Sequence, residues 1–132
     1  MAEVEDALFT AVTGDATVTA LIGLKMFPTA APPSTALPYI AYERISSVRP
    51  QAMQSEPGNV RARFEFRMVD STPIKARALG KAVRDVLNRH QAPSGTPVID
   101  DIFLDGESAE GGDMDEKRFS VVHDYLVFYT ES

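Results

Sequence analysis

The segment Val60–Val69 constrains the fold of this chain more than any other part of the sequence. Apolar residues fill every second position, namely Val60, Ala62, Phe64, Phe66 and Met68. Charged residues fill the positions between them, namely Arg61, Arg63, Glu65 and Arg67. Because successive side chains of a β-strand point to opposite faces, this alternation predicts a strand with one buried face and one polar face. Such a strand needs a second layer of structure against its apolar side.

The segment that follows is predicted to supply that layer as a long helix. Asp70-Ser71-Thr72-Pro73 combines polar capping residues with a proline near the first helical position, which is typical of a helix start. The helix is predicted to run to about Asn88. Its predicted apolar stripe consists of Ile74, Ala78, Leu79, Ala82, Val83, Val86 and Leu87. This stripe is expected to pack on the apolar face of the Val60–Val69 strand.

The remaining segments predict shorter helices and further strands. Helical spacing of apolar residues indicates a short helix from Glu3 to Val12, and Asp15 is the predicted N-cap of a second short turn. Met26-Phe27 is a predicted edge strand, and longer strands are predicted at Tyr39–Ser47, Val98–Glu107 and Arg118–Tyr129. Loops are predicted at Pro50–Asn59 and at Ser108–Glu116, the second being the flexible tip of a hairpin.

The order of these elements predicts an α+β fold. We expect an antiparallel β-sheet with one long helix packed on one face and short N-terminal helices. A length of 132 residues and the lack of internal repeats indicate a single domain, residues 1–132.

Composition excludes several classes of function. The chain has no Cys, so it offers no disulfide, thiol nucleophile or zinc-thiolate site. No apolar run approaches the ~18 residues that span a bilayer, and the N-terminus does not resemble a signal peptide. We therefore expect no membrane association and folding in a cytoplasm. The net charge of −6 argues against sequence-specific nucleic-acid binding, which needs a dominant basic surface.

The charge is distributed unevenly along the chain. Ten basic and four acidic residues lie between Arg44 and Arg89, whereas eight acidic residues and one basic residue lie between Asp100 and Lys117. One interpretation is two solvated faces. The other is a head-to-tail interface between subunits, in which the acidic side of one copy meets the basic side of its neighbour. The candidate interface residues are Arg61, Arg63 and Arg67 on one copy and Asp113, Asp115 and Glu116 on the next.

No motif in the sequence has catalytic or metal-binding spacing. His123 and Asp124 are adjacent on a predicted strand, so they point to opposite faces and cannot form a dyad. His90, at the end of the long helix, is interpreted as a capping residue. The carboxylates Asp113, Asp115 and Glu116 lack the spacing of a calcium loop. We therefore predict that the chain is not an enzyme and has no catalytic, metal or cofactor-binding residues.

A series of short motifs, in order along the chain, carries a family resemblance. They are Leu21-Ile22-Gly23, Phe27-Pro28, the segment Ala36–Ser46, Arg63-Phe64-Glu65-Phe66, the segment Ala76–Arg84 and the segment Phe119–Val127. Together they resemble the tail-completion, or tail-terminator, proteins of long-tailed bacteriophages, a family that includes tail-to-head joining proteins of siphoviruses and relatives in gene-transfer agents. The resemblance covers essentially the whole chain.

The resemblance implies a structural role in the virion. Such proteins form a ring, commonly a hexamer, at the head-proximal end of the tail tube, stop tube polymerisation and join the tail to the head. The implied partners are further copies of the chain, the tail-tube protein and the head–tail connector protein, with assembly in the host cytoplasm. The family has no catalytic or metal residues to transfer. Two alternatives remain: a head–tail connector or neck subunit, and a small ligand-binding or enzymatic domain that uses the sheet face.

Overall fold

Three helices and five strands make up the part of the chain that the structure, a computed structural model, describes. That part comprises residues 3–32, 34–49, 59–95, 97–113 and 117–130, with the backbone alone at 110–113. The helices are α1 (Val4–Thr13), α2 (Ala16–Ile22) and α3 (Pro73–Leu87). The strands are β1 (Met26–Pro28), β2 (Tyr39–Val48), β3 (Asn59–Asp70), β4 (Val98–Asp113) and β5 (Arg118–Thr130). The predicted α+β class is confirmed.

The strands form one mixed sheet in the order β1-β2-β3-β5-β4. β2, β3, β5 and β4 pair in antiparallel fashion, as predicted. The short edge strand β1 differs, because it runs parallel to β2 with Met26 opposite Ile40. The central strand β3 is the predicted alternating segment. β3 pairs with β5 and not with β4. The C-terminal strand β5 therefore lies inside the sheet, and β4 lies at its edge.

The hydrophobic core lies between one face of this sheet and the three helices. The predicted apolar face of β3 is buried throughout: Val60, Ala62, Phe64, Phe66 and Met68. From α1 the core receives Val4, Leu8 and Val12, all of them buried. α3 lies across β3, β5 and β4 on the same side. Residues of α3 and of the apolar face of β3 therefore belong to the same buried cluster.

The predicted start of α3 is correct, but part of its predicted apolar stripe is wrong. Thr72 is the N-cap, and its hydroxyl accepts a hydrogen bond from the backbone N–H of Lys75 at 3.1 Å. Ile74 is 77% exposed, whereas Ala76 and Gly80 are buried. Leu79, Val83 and Leu87 are buried as predicted, whereas Ala78 is exposed. The small residues Ala76 and Gly80 complete the buried side and allow the helix backbone to approach the strands closely.

The predicted loop at residues 108–116 is also wrong over most of its length. β4 continues to Asp113, with Glu110 paired to Ser120 and Asp113 paired to Arg118. One of the three register shifts of the β4–β5 ladder lies in this segment, between Glu110 and Asp113, and it interrupts the alternation that would have indicated a strand. The predicted loop at 50–59 lies outside the described residues, except for Asn59, which begins β3.

Candidate functional site

The three predicted interface arginines lie on the sheet face opposite the core. Arg61, Arg63 and Arg67 alternate with the buried residues of β3, and none of them is buried. None of the three described helices packs on this face, since all of them contribute to the core on the other side. The position of the arginines therefore agrees with the sequence prediction.

Two of these arginines already pair with carboxylates of their own chain. An Nη of Arg63 lies 2.7 Å from an oxygen of Asp105 on β4, and this hydrogen bond raises the pKa of Arg63. An Nη of Arg67 lies 3.4 Å from Glu65 on the same strand. The side chains of these pairs are partly exposed to solvent, so each pair contributes little to stability. They partly neutralise the basic face and orient its side chains.

The acidic residues of the predicted interface are only partly described. The backbone of Asp113 pairs with Arg118 at the β4–β5 turn, while Asp115 and Glu116 lie outside the described residues. Arg61 pairs with Phe128, near the other end of β5. At ~3.4 Å per residue, the Arg61 backbone and the Asp113 backbone are therefore separated by roughly 30 Å. The structure does not bring these two positions together within one chain.

A second polar site, which the sequence analysis missed, lies between α3 and the edge of the sheet. It is a groove of about 380 Å³, which we call the basic groove. Its lining includes Arg77, Lys81 and Arg84 from α3, Glu107 and Ala109 from β4, and Val121 and His123 from β5. The helical spacing of its three cations was visible in the sequence, because residues four and three positions apart share one side of a helix. The sequence did not indicate that these cations lie close to Glu107 and His123.

His123 is the buried polar group of the basic groove. It is 3% exposed, and its Nδ1 lies 3.1 Å from the hydroxyl of Tyr125. Its Nε2 lies 3.5 Å from Glu107. Burial lowers the pKa of His123, and Arg84 lowers it further, while the negative charge of Glu107 acts in the opposite direction. The ring is therefore held in its neutral form.

The close approach of α3 to His123 depends on Gly80. A Cβ at position 80 would lie 3.1 Å from Nε2 of His123 and 3.5 Å from the terminal methyl of Met68.

Burial also raises the pKa of the Tyr125 hydroxyl, so the phenol stays protonated. His123 and Tyr125 together form a neutral hydrogen-bonded pair under the helix.

The described polar side chains of the two sites form ion pairs and hydrogen bonds. His123 faces the core and its neighbour Asp124 does not, so the predicted separation of the two side chains is confirmed. Within the described ranges, no group of three or more His, Asp or Glu could hold a metal ion. None of the described helices has the length and apolarity needed to cross a bilayer.

Comparison with known proteins places this fold in a virion context. The chain is similar to a chain of a solved structure described as the virion of a native gene transfer agent particle, with a TM-score of 0.71 and 14% identity, over 93% of this chain and 91% of that one. At this identity the likeness concerns the fold alone. No curated protein matches the sequence. The family model of tail completion protein gp17 matches residues 6–130, and the chain therefore belongs to this family of structural proteins of the bacteriophage virion.

Proposed function

We propose that this protein forms a closed ring at the head-proximal end of the phage tail tube, where it stops tube polymerisation and joins the tail to the head connector. Membership of the tail completion family over residues 6–130 is the observation that carries this proposal. The partners are further copies of the chain, the tail-tube protein and the head–tail connector protein. Assembly takes place in the host cytoplasm, and the protein acts without catalysis or a cofactor.

The proposed contact between subunits is head-to-tail. Arg61, Arg63 and Arg67 of one copy face the acidic residues Asp113, Asp115 and Glu116 of the next copy. Along the sheet Asp113 lies roughly 30 Å from Arg61 but only ~14 Å from Arg67, which pairs with Val122. The Arg61 end of the arginine set is therefore best placed to contact a different neighbour from the one that the acidic residues contact. Identical patches that met across a two-fold axis would repel each other. A rotation of about 60° between neighbours would close the contact into a hexamer.

Mass measurement in solution tests the ring. We expect native mass spectrometry of the purified protein, alone and mixed with tail-tube protein, to detect a discrete closed oligomer, with six copies as the expected number. We also expect tubes grown in its presence to be capped and shorter than tubes grown without it. A protein that stays monomeric and leaves tube length unchanged would contradict the proposal. Binding to the connector without binding to the tube would instead identify a neck subunit.

A further inference from the structure

We propose that the basic groove is a docking site for an acidic segment of a partner protein, bound through a side-chain carboxylate. The groove lies on the helix side of the sheet, whereas Arg61, Arg63 and Arg67 lie on the opposite side. It is therefore a separate surface from the arginine side of the proposed ring contact, and it could recruit a different protein. The inference does not depend on ring formation.

The groove carries more cations than carboxylates. Arg77, Lys81 and Arg84 place three cations along one side of α3. Lys81 pairs with Asp85 at 3.1 Å, and Arg84 pairs with Glu107 at 3.2 Å. Within the described part of the chain, no carboxylate lies at ion-pairing distance from Arg77. A carboxylate supplied by a partner would complete the set, and the planar guanidinium of Arg77 suits a two-pronged contact.

The shape and chemistry of the groove favour a peptide over a nucleic acid. A volume of about 380 Å³ accommodates a few side chains. Ala109 and Val121 add apolar surface beside the cations, which suits an acidic residue flanked by apolar ones. Glu107 would repel a phosphate dianion more strongly than a single carboxylate. The net charge of −6 further disfavours a polyanion.

The position of β4 supplies a second recognition element. β4 lies at one edge of the sheet, opposite the edge formed by β1, and its residues Glu107 and Ala109 line the groove. An edge strand presents main-chain donors and acceptors to an incoming extended segment. A partner segment that runs along β4 could therefore bond to the strand while its carboxylate reaches Arg77.

The ion pair between Arg84 and Glu107 indicates a substitution that should raise the affinity of the basic groove for the acidic segment. Glu107 already places a carboxylate 3.2 Å from Arg84, so it competes with any carboxylate from a partner. Removing that competitor should strengthen binding, an effect that damage to the fold would not produce. Glu107→Gln keeps the shape of the side chain and removes its charge.

A titration of the whole chain with a peptide, monitored by the NMR chemical shifts of the backbone amides, tests the proposal. The probe is a blocked peptide of alternating leucine and glutamate, and its control replaces each glutamate with glutamine. We expect saturable shifts at residues 77–84 and 107–109 with the acidic peptide only. Arg77→Gln should weaken binding by about tenfold or more, because a hydrogen bond to a charged group is lost. Lys75→Gln, an exposed cation on the same helix outside the groove, should leave binding unchanged.

Further outcomes decide between this partner and other ligands. Glu107→Gln is expected to tighten binding by up to about fivefold. The proposal is overturned if the acidic peptide does not bind, if the glutamine peptide binds equally well, or if inorganic phosphate or duplex DNA binds as tightly. Melting curves verify that each variant is folded. None of the substituted residues belongs to the proposed ring contact, so ring formation by these variants tests the proposed function and not this docking site.

Discussion

Arg44 on β2 and Glu5 on α1 form a two-pronged ion pair that connects the first helix to the sheet. Nη2 of Arg44 lies 2.8 Å from Oε1 of Glu5, and its Nε lies 3.1 Å from Oε2. The guanidinium also donates to the Tyr129 hydroxyl at 3.0 Å and lies over the Phe64 ring at 5.4 Å from its centroid. One side chain thus joins α1, β2, β3 and β5 at the end of the core.

Breaking this pair is expected to loosen α1. Arg44→Gln should lower the free energy of unfolding by about 1–2 kcal/mol, because the bond is charge-assisted and only partly exposed. The exposed pair of Lys81 and Asp85 serves as the control, and Lys81→Gln should cost no more than ~0.5 kcal/mol. Urea denaturation measures both values. In a double-mutant cycle with Glu5→Gln, the double variant should lose less free energy of unfolding than the sum of the two single losses. Additive losses would contradict the prediction.

The burial of His123 predicts a loss of stability in acid. Its folded pKa is lowered, mainly by desolvation and further by Arg84, against the opposing charges of Glu107 and Asp124. The unfolded chain therefore binds a proton more readily than the folded protein. The contribution of His123 to the free energy of unfolding is fully present above the unfolded pKa of about 6.5. It is lost progressively as the pH drops from there toward the folded pKa.

Urea melts at pH 7.5 and pH 5.5 measure this effect. The difference between the two pH values should be smaller in His123→Gln than in the unmodified protein, because carboxylate titration is common to both. An equal difference would show that His123 does not contribute. Titration of the His123 ring by NMR gives its pKa directly.

Gly80→Ala is expected to destabilise the protein, although alanine favours helix. The added methyl group would lie 3.1 Å from Nε2 of His123, whose ring is buried and bonded to Tyr125. Overpacking costs ~1–3 kcal/mol, against ~1 kcal/mol gained from helix propensity. Because the buried, hydrogen-bonded ring has little room to move, we expect the overpacking cost to be the larger of the two. In a His123→Ala background the same substitution should be stabilising. Thermal melts of the four proteins test the reversal of sign, and stabilisation by Gly80→Ala alone would contradict it.

Leu8 and Leu24 provide a matched pair for testing the core. Leu8 on α1 is fully buried, whereas Leu24 is 68% exposed. Leu8→Ala should cost ~2–5 kcal/mol, while Leu24→Ala should stay within about 0.5 kcal/mol. Denaturant midpoints measure both. Comparable losses at the two positions would mean that α1 packs differently.

Charge reversal tests the proposed subunit contact. Arg63→Glu with Arg67→Glu should weaken ring assembly without unfolding the domain, since both side chains lie outside the core. Each rim pair is worth only ~0.2–1 kcal/mol, but a ring repeats it at every interface. Lys75→Glu on α3 is the matched control.

Two further conditions belong to the same experiment. High salt should also weaken assembly, because the screening length falls to ~3 Å at 1 M. Asp113→Lys with Asp115→Lys should restore assembly of the reversed variant. If the double reversal assembles normally, or if the compensating pair restores nothing, these charges form only a solvated surface.

Local periodicity made much of the fold predictable. The alternation along β3 identified a strand and its buried face, and Thr72-Pro73 identified the start of α3. Each of these signals is contained in a short stretch of sequence, because side-chain direction along a strand and capping at a helix end are local properties. The placement of Arg61, Arg63 and Arg67 opposite the core followed from the same alternation.

Long-range pairing decided what the sequence alone did not determine. The strand order, the extension of β4 to Asp113 and the parallel pairing of β1 depend on which strands meet. The contact of Arg63 with Asp105 and the meeting of Arg84, Glu107 and His123 join residues that are distant in the chain. Such contacts depend on strand register and helix rotation. Many registers satisfy the same local pattern, and only the packing of the whole core selects one of them.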